Sequence, residues 1–142
     1  MIGPVLLGLA LVATAGVALL MRWKNGRFSA PAVVDDRERL TSEQIGAPLG
    51  DQATLVQFSS AFCSPCRATR VLLTDIAAST PGVETVEIDA ESHLQLVRDL
   101  DVMRTPTVLV LDADGVVTTR ASGLPRRDQV MAALGRAVES GK

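Results

Sequence analysis

The most informative stretch of this chain is TLVQFSSAFCSPCR, residues 54–67. Its first six residues, which include Leu55, Val56 and Phe58, predict a buried strand. The residues after it predict a helix, since Pro65 suits a first helical turn, where its missing N–H is not needed. The only two cysteines of the chain, Cys63 and Cys66, therefore lie where a strand ends and a helix begins.

That position makes the two cysteines candidates for thiol–disulfide chemistry. Unpaired backbone N–H groups and the helix dipole favour a thiolate at a helix N-terminus, where cysteines have pKa values of about 3.5–7.5 rather than about 8.5. We expect Cys63 to be the exposed nucleophile. Cys66, one turn further, should attack the mixed disulfide at Cys63 and release the product. Ser64 and Pro65 lie between them, and Pro65 fixes the backbone there.

After this strand and helix, the pattern predicts five more elements, in the order strand, helix, strand, strand, helix. The strands over residues 54–59 and 83–89 are joined by a helix and should run parallel. The strands over residues 107–111 and 116–119 form a hairpin whose turn ends at Gly115, a residue suited to positive φ. The expected fold class is α/β, a mixed sheet with helices on both faces.

The three predicted helices each have an apolar face that should meet the core. The first should bury residues spaced four apart, which are Ala68, Leu72 and Ile76. The second is short, is capped by Ser92 and should bury Leu94, Val97 and Leu100. The third begins at Pro125 and should bury Val130, Ala133, Leu134, Ala137 and Val138.

Several separated motifs resemble those of the thioredoxin superfamily, over about residues 53–138. The segment from Phe58 to Cys66 resembles the family's strand-to-active-site segment. Thr105-Pro106, directly before a strand, resembles its cis-proline loop. Gly115 and Gly123 fall where the family has glycines.

This resemblance implies a thioredoxin-like fold and a redox-active Cys63–Cys66 pair that needs no cofactor. It also implies that Pro106 is cis and that Thr105 offers backbone groups to an extended substrate segment. Phe62 and Gly123 are the other implied substrate-binding residues. The implied partners are protein disulfide or dithiol substrates and an upstream thiol electron donor.

Four residues depart from the family pattern. Phe62 stands where the common motif has Trp, and Ser64 where it often has Gly. Gln57 occupies the position of a buried acid that, in thioredoxins proper, assists proton transfer at the second cysteine. Thr85 replaces a lysine associated with that acid. Because an amide does not titrate, we predict slow resolution by Cys66 and a specialised partner.

The N-terminal segment is the other dominant feature of the sequence. Residues 2–21 carry no charge and, at about 1.5 Å per helical residue, are long enough to cross a hydrocarbon core of about 30 Å. A cleaved signal peptide, with Ala13-Thr14-Ala15 at the cleavage site, is the alternative. No basic residue precedes the run, which continues to Met21, so we favour an uncleaved anchor. The predicted organisation is a transmembrane anchor with a basic flank over residues 1–28, a linker over 29–36 and a thioredoxin-like domain over 37–142.

The charges beside this segment predict its orientation. Arg22, Lys24 and Arg27 follow it directly, and the positive-inside rule then places the soluble domain on the cytoplasmic face of the cell membrane, behind a single span. Many tethered relatives have their domain on the other side, so an extracytoplasmic domain is the alternative. The reducing poise of the cytoplasm favours reduction of partner disulfides.

Composition argues against several function classes. The chain has 142 residues, of which 47% are hydrophobic, and a formal net charge of −2. Setting Arg22, Lys24 and Arg27 aside leaves 11 basic and 16 acidic residues from residue 29 onward, a net charge of −5. We expect no nucleic-acid binding, because that requires a basic face.

Two functions without redox turnover stay open. One CxxC motif and a single histidine, His93, do not supply the four ligands of structural zinc, so no metal site is predicted. A copper chaperone that holds Cu(I) on the two cysteines is one alternative. The other is a thioredoxin-like binding module whose cysteines hardly turn over. We expect His93 to be exposed on a surface helix, and Arg67 and Arg70 to lie on a solvated helix face.

Overall fold

The computed structural model describes residues 1–29 and 38–142, so most of the predicted linker lies outside the described residues. The helices are α1 (Ile2–Lys24), α2 (Ser42–Ile45), α3 (Ser64–Ser79), α4 (Leu94–Asp99) and α5 (Arg127–Ser140). The strands are β1 (Phe28–Ser29), β2 (Ala53–Ser59), β3 (Val83–Asp89), β4 (Thr107–Asp112) and β5 (Val117–Ser122).

The strands form one sheet in the order β1-β5-β4-β2-β3. β2 and β3 are parallel, as their helical connection requires, whereas β4 is antiparallel to β2 and β5 is antiparallel to β4. The predicted mixed α/β sheet is therefore confirmed, and Gly115 in the hairpin has a φ of 83°. The sequence pattern did not indicate β1, which pairs antiparallel with β5 through Phe28–Ala121 and Ser29–Arg120.

Apolar residues pack on both faces of the sheet, in two clusters. On one face α3 and α5 cover β2 and β4, and the buried members are Ala53, Leu55, Leu73, Ile76, Val83, Val108, Val110, Val130, Ala133, Leu134 and Ala137. On the other face α2 and the segment around α4 do so, with Leu40, Ile45, Val56, Phe58, Ile88, Leu100, Val102, Leu109, Leu111 and Val117. Because β2 and β4 are covered on both faces, every residue of these two strands is buried.

The face that α3 turns to the core is not the expected one. Ala68 is exposed and Leu72 is only half-buried, whereas the buried residues are Cys66, Thr69, Leu73 and Ile76. The prediction is right for Ile76 and wrong for Ala68 and Leu72, because Thr69, although polar, points inward. Its hydroxyl donates to the Pro65 carbonyl oxygen over 2.9 Å, so the helix itself satisfies this polar group inside the core.

The second predicted helix also differs from the structure. α4 begins at Leu94 with His93 as its N-cap, and Ser92 donates its hydroxyl to the Asp89 carboxylate instead of capping the helix. Leu94 is 54% exposed, and of the three residues expected to be buried only Leu100 is, just past the helix end. At six residues, α4 makes less than two turns and is too short for a continuous apolar stripe.

The last helix has the predicted buried face but starts later than predicted. Arg126 is extended, with φ of −92° and ψ of 154°, and serves as the N-cap, so α5 begins at Arg127 rather than at Pro125. Val138 is half-buried, and the remaining predicted residues are buried, namely Val130, Ala133, Leu134 and Ala137.

α1 extends for 23 residues, and its most apolar window has a mean hydropathy of 2.3 with none of its residues buried. These properties make it a candidate membrane span, although a signal sequence near an N-terminus shares them. Arg22 and Lys24 lie in its last turn, where positive charge is favourable beside the negative end of the helix dipole.

Candidate redox site

Cys63 and Cys66 lie at the start of α3, directly after β2. Cys63 is the N-cap residue and forms a disulfide with Cys66. The Cα atoms of the two cysteines lie 5.2 Å apart. Cys63 is half-buried, whereas Cys66 is 3% exposed. Pro65 occupies the first turn between them. An approaching group therefore reaches the sulfur of Cys63 more easily than that of Cys66.

The loop before β4 approaches the start of α3 from the side. Its Thr105–Pro106 peptide bond is cis, as the family resemblance implied. The Thr105 hydroxyl lies 2.9 Å from the hydroxyl of Ser60, three residues before Cys63. This contact brings the cis-proline loop and the CxxC segment together.

A third loop, between β5 and α5, meets the cis-proline loop. Gly123 donates its backbone N–H to the Pro106 carbonyl oxygen over 2.7 Å, and its φ is 93°. A Cβ at this position would lie 2.8 Å from Asn25 Oδ1, so both the conformation and the space favour glycine. The structure thus brings together three predicted residues, Thr105, Pro106 and Gly123.

Two apolar side chains at this end of the domain project into solvent. Phe62, next to Cys63, is fully exposed, and Met103, two residues before Thr105, is 87% exposed. Exposed apolar residues that lie near one another are typical of binding surfaces. The sequence reasoning missed Met103, and its position just before Thr105-Pro106 is the signal that would have indicated it.

Gln57 lies beneath the site, on β2, and is 1% exposed. Its side-chain amide donates to the backbone carbonyl oxygen of Cys66 over 2.8 Å. A buried amide needs such a partner, because an unsatisfied polar group in the core costs about 1–3 kcal/mol. Gln57 therefore fixes the first turn of α3 against β2, at the position where the resemblance to thioredoxins proper implies an acid.

Glu87 on β3 is a second polar residue near the site, and the sequence reasoning missed it. It is the register partner of Gln57 on the neighbouring strand. One carboxylate oxygen accepts from the Ser59 hydroxyl over 2.8 Å, and the other lies 3.1 Å from the Arg70 guanidinium. Arg70 is thus ion-paired. Because its side chain is 52% exposed, the pair stabilises the fold only slightly. Side chains along β3 alternate between the two faces of the sheet, and this alternation is the signal that would have indicated Glu87.

Asp89 is the last residue of β3, and its carboxyl group is exposed. A hydrogen bond from the Ser92 hydroxyl, at 2.7 Å, is the main reason why the pKa of Asp89 is below its ordinary value of 3.8. The Glu91 backbone N–H, at 3.0 Å, and the nearby His93 lower this pKa further, whereas desolvation opposes them.

His93 is exposed, as expected, and its Nδ1 lies 3.0 Å from the Asp89 carbonyl oxygen. Within residues 1–29 and 38–142, no group of three or more His, Cys, Asp or Glu side chains is arranged to hold a metal ion.

The sequence model of the Thioredoxin family matches residues 38–135, which is more than half of the chain. The chain belongs to the thioredoxin family. It is similar to a thioredoxin of Chlamydia trachomatis serovar D, with 26% identity over 92 residues that make up 65% of this chain and 89% of that one. It is 32% identical to the thioredoxin domain-containing protein 2 of Mus musculus over 75 residues, which are 53% of this chain but 14% of that much longer protein.

Solved structures show the same thioredoxin fold. Chloroplastic thioredoxin z has a TM-score of 0.59 and 25% identity, over 77% of this chain and 99% of that one. A mutant thioredoxin from Halobacterium salinarum has a TM-score of 0.57 and 20% identity, over 62% of this chain and 76% of that one. Family membership and the Cys63–Cys66 pair together support a thiol–disulfide oxidoreductase.

Proposed function

We propose that this chain is a membrane-tethered thioredoxin that reduces protein disulfides through Cys63 and Cys66. The observation that carries the proposal is the contrast between the two sulfurs. Cys63 is half-buried at the N-cap of α3, and Cys66 is buried one turn later. The cis-proline loop contacts the CxxC segment through Thr105 and Ser60. That contrast suits a two-step exchange, in which one sulfur meets the substrate and the other completes the transfer.

The proposed cycle begins with both cysteines reduced. The Cys63 thiolate attacks one sulfur of the substrate disulfide; a mixed disulfide forms, and the other substrate sulfur leaves as a thiolate and takes up a proton. Cys66 then loses its proton to solvent and attacks Cys63 Sγ, so that the mixed disulfide breaks and the second substrate thiol leaves. Two electrons have passed to the substrate, and an upstream dithiol donor returns the pair to its reduced state.

Residues around the pair are proposed to hold the substrate segment. The backbone of Thr105 pairs with an extended chain, as a sheet edge does. Pro106 and Gly123 hold the two neighbouring loops together, and the exposed ring of Phe62 offers an apolar contact. Ser64 and Pro65 set the spacing of the two sulfurs.

Turnover of the reduced full chain in detergent tests the redox proposal. With a disulfide-bonded protein as substrate and a dithiol donor, we expect both Cys63→Ser and Cys66→Ser to abolish turnover. Only Cys66→Ser should accumulate the mixed disulfide, because it keeps the attacking sulfur and lacks the resolving one. Normal turnover of Cys63→Ser would contradict the assignment. Unaltered partner binding without any turnover would favour a binding module instead.

The tether and its orientation are the second part of the proposal. α1 has the length and hydropathy of a span, and Arg22, Lys24 and Arg27 favour a domain on the cytoplasmic face. A membrane-impermeant thiol reagent, added to intact cells after reduction, should leave Cys63 unmodified, while the same reagent should modify it in lysed cells. Modification of Cys63 in intact cells would contradict the cytoplasmic orientation. Recovery of the chain in the soluble fraction would contradict the membrane tether.

A further inference from the structure

The end of α1 is joined to the thioredoxin domain by a very short connection. The helix ends at Lys24, Asn25 is its C-cap, and Gly26 donates its backbone N–H to the Ser122 carbonyl oxygen over 2.6 Å. Two residues later, Phe28 pairs with Ala121 in the sheet. Only three residues separate the last residue of the helix from the first paired residue of the domain.

Close contacts fix this junction against the domain. The Arg104 guanidinium donates both to Asn25 Oδ1 and to the Ser122 carbonyl oxygen. Gly26 has a φ of 72°, and a Cβ there would lie 2.0 Å from the Leu124 carbonyl oxygen. Backbone this close leaves no room for a side chain, so the junction is a packed turn rather than a loose tether.

The loops that hold the junction are the loops of the redox site. Ser122 and Gly123 contact the junction, and Gly123 is bonded to Pro106. Thr105, in turn, contacts Ser60 on the CxxC segment. The end of α1 therefore lies at the same end of the sheet as Cys63, whereas the hairpin at residues 113–116 lies at the other end of β4.

Side chains around the junction also match a membrane surface. A cleft between the end of α1 and the start of α5 is lined by cations and apolar groups, among them Arg22, Trp23, Arg27, Leu124 and Arg126. Basic residues beside a membrane helix are attracted to anionic headgroups, and tryptophan favours the interface.

We propose that the junction holds the redox site against the membrane surface, so that its substrates are disulfides carried by membrane-embedded proteins close to the bilayer. This inference rests on the proposed function, since it needs the tether and the exchange chemistry. Arg104 and Asn25 are positioning residues in this account: they orient the domain and take no part in the exchange. Phe62 and Met103 then face a partner that is held beside the membrane.

The orientation can be measured without any turnover. Full chains are inserted into vesicles with acceptor dyes on the lipid headgroups, and a donor dye is attached to Cys63 in the Cys66→Ser variant. The matched control carries the donor at Asp114→Cys, with both native cysteines replaced by serine. β4 lies between the two labelled sites and has six residues at about 3.3 Å each. The two dyes should therefore differ in their distance from the headgroups by enough to change the energy transfer.

We expect stronger energy transfer from residue 63 than from residue 114. Equal transfer, or stronger transfer from residue 114, would overturn the proposed orientation. Failure of the chain to float with the vesicles would overturn the tether itself and this inference with it, so the two failures are distinguishable.

The substrate class is tested by single turnover of the pre-reduced full chain in vesicles. The substrate is a disulfide loop on a model transmembrane helix, attached by a short or a long flexible spacer, and a soluble disulfide protein is the reference. We expect the short-spacer substrate to react at least about fivefold faster than the long-spacer one, because the effective concentration falls as the spacer lengthens.

A flexible Gly-Ser insertion between Lys24 and Asn25 provides the control. It leaves the contacts of Asn25 and Gly26 with the domain intact but frees the domain from the helix, since the bond from the Asn25 N–H to the Met21 carbonyl oxygen is lost. The ratio of the two rates should then approach one while the soluble substrate reacts as before. An unchanged ratio in the insertion variant, or no spacer dependence in the native chain, would overturn the inference. Loss of reaction with every substrate would instead overturn the proposed exchange chemistry.

Discussion

Gln57 donates its side-chain amide to the backbone carbonyl oxygen of Cys66 over 2.8 Å. The amide is buried, at 1% exposure, and lies under the first turn of α3. It can orient that turn, but it cannot accept or release a proton near the second cysteine. The deprotonation of Cys66 therefore has no general base at this position.

Replacing Gln57 by an acid should add the missing proton acceptor. General acid–base groups contribute about 10²–10⁴-fold, so we expect Gln57→Asp to accelerate resolution of the mixed disulfide by at least about tenfold and to add the ionisation of the new acid to its pH profile. Stopped-flow measurement of product release from a preformed Cys63 mixed disulfide, over pH 5 to 9, gives the profile.

Gln57→Asn is the matched control, since it has nearly the shape of Asp and does not titrate. Its resolution should be slow and should follow only the ionisation of Cys66. Identical pH profiles for the Asp and Asn variants would show that an acid at position 57 has no role in resolution.

The inward face of α3 can be tested by truncating its side chains. Leu73 is fully buried, and Val71 on the same helix is 64% exposed. We expect Leu73→Ala to lower the free energy of unfolding by about 2–5 kcal/mol, because it opens a cavity in the core. Val71→Ala should change it by no more than about 0.5 kcal/mol. Similar losses for the two variants, by chemical denaturation of the full chain in detergent, would contradict this register.

The turn at Gly26 is tested by a pair of glycine substitutions with the same backbone conformation. Gly26 and Gly46 have φ values of 72° and 71°, but only Gly26 has backbone atoms where a Cβ would lie. Gly46→Ala should cost about 1–2 kcal/mol from the left-handed conformation alone. Gly26→Ala should cost about 1–3 kcal/mol more, because the loop at Leu124 must move. Equal shifts in Tm for the two variants would mean that the junction is not tightly packed.

The carboxyl of Asp89 should titrate below its ordinary pKa of 3.8. A lowered folded-state pKa means that Asp89 stabilises the fold above the unfolded-state value, and that this contribution is lost as pH falls through the folded-state value. An NMR titration of the side-chain carbon measures the pKa directly. Ser92→Ala removes the main hydrogen bond and should raise the pKa toward 3.8, so an unchanged value would rule out that cause.

The order of elements from β2 to α5 is predictable from local pattern alone. Leu55, Val56 and Phe58 indicate a buried strand, and every residue of β2 is buried because the strand is covered on both faces of the sheet. Gly115 marks the hairpin, since its positive φ restricts which residues fit. The cysteine pair is located by the same reasoning, because a strand end and a helix start meet there.

Other features depend on tertiary contacts that no local pattern contains. β1 is only two residues long. It forms because the turn at Gly26 positions Phe28 beside the free edge of β5. Thr69 points inward because the helix satisfies its hydroxyl. The cis bond before Pro106 came from the family resemblance, since the trans isomer is the default even before proline.

The reduction potential of the Cys63–Cys66 pair tests the central claim most directly. The full chain in detergent is equilibrated with thiol–disulfide buffers of defined potential, and the reduced cysteines are counted by alkylation. A protein-disulfide reductase on the cytoplasmic face predicts a value near that of reducing thioredoxins, about −270 mV. A value near about −120 mV would make the pair an oxidant and would contradict both the direction and the placement of the domain.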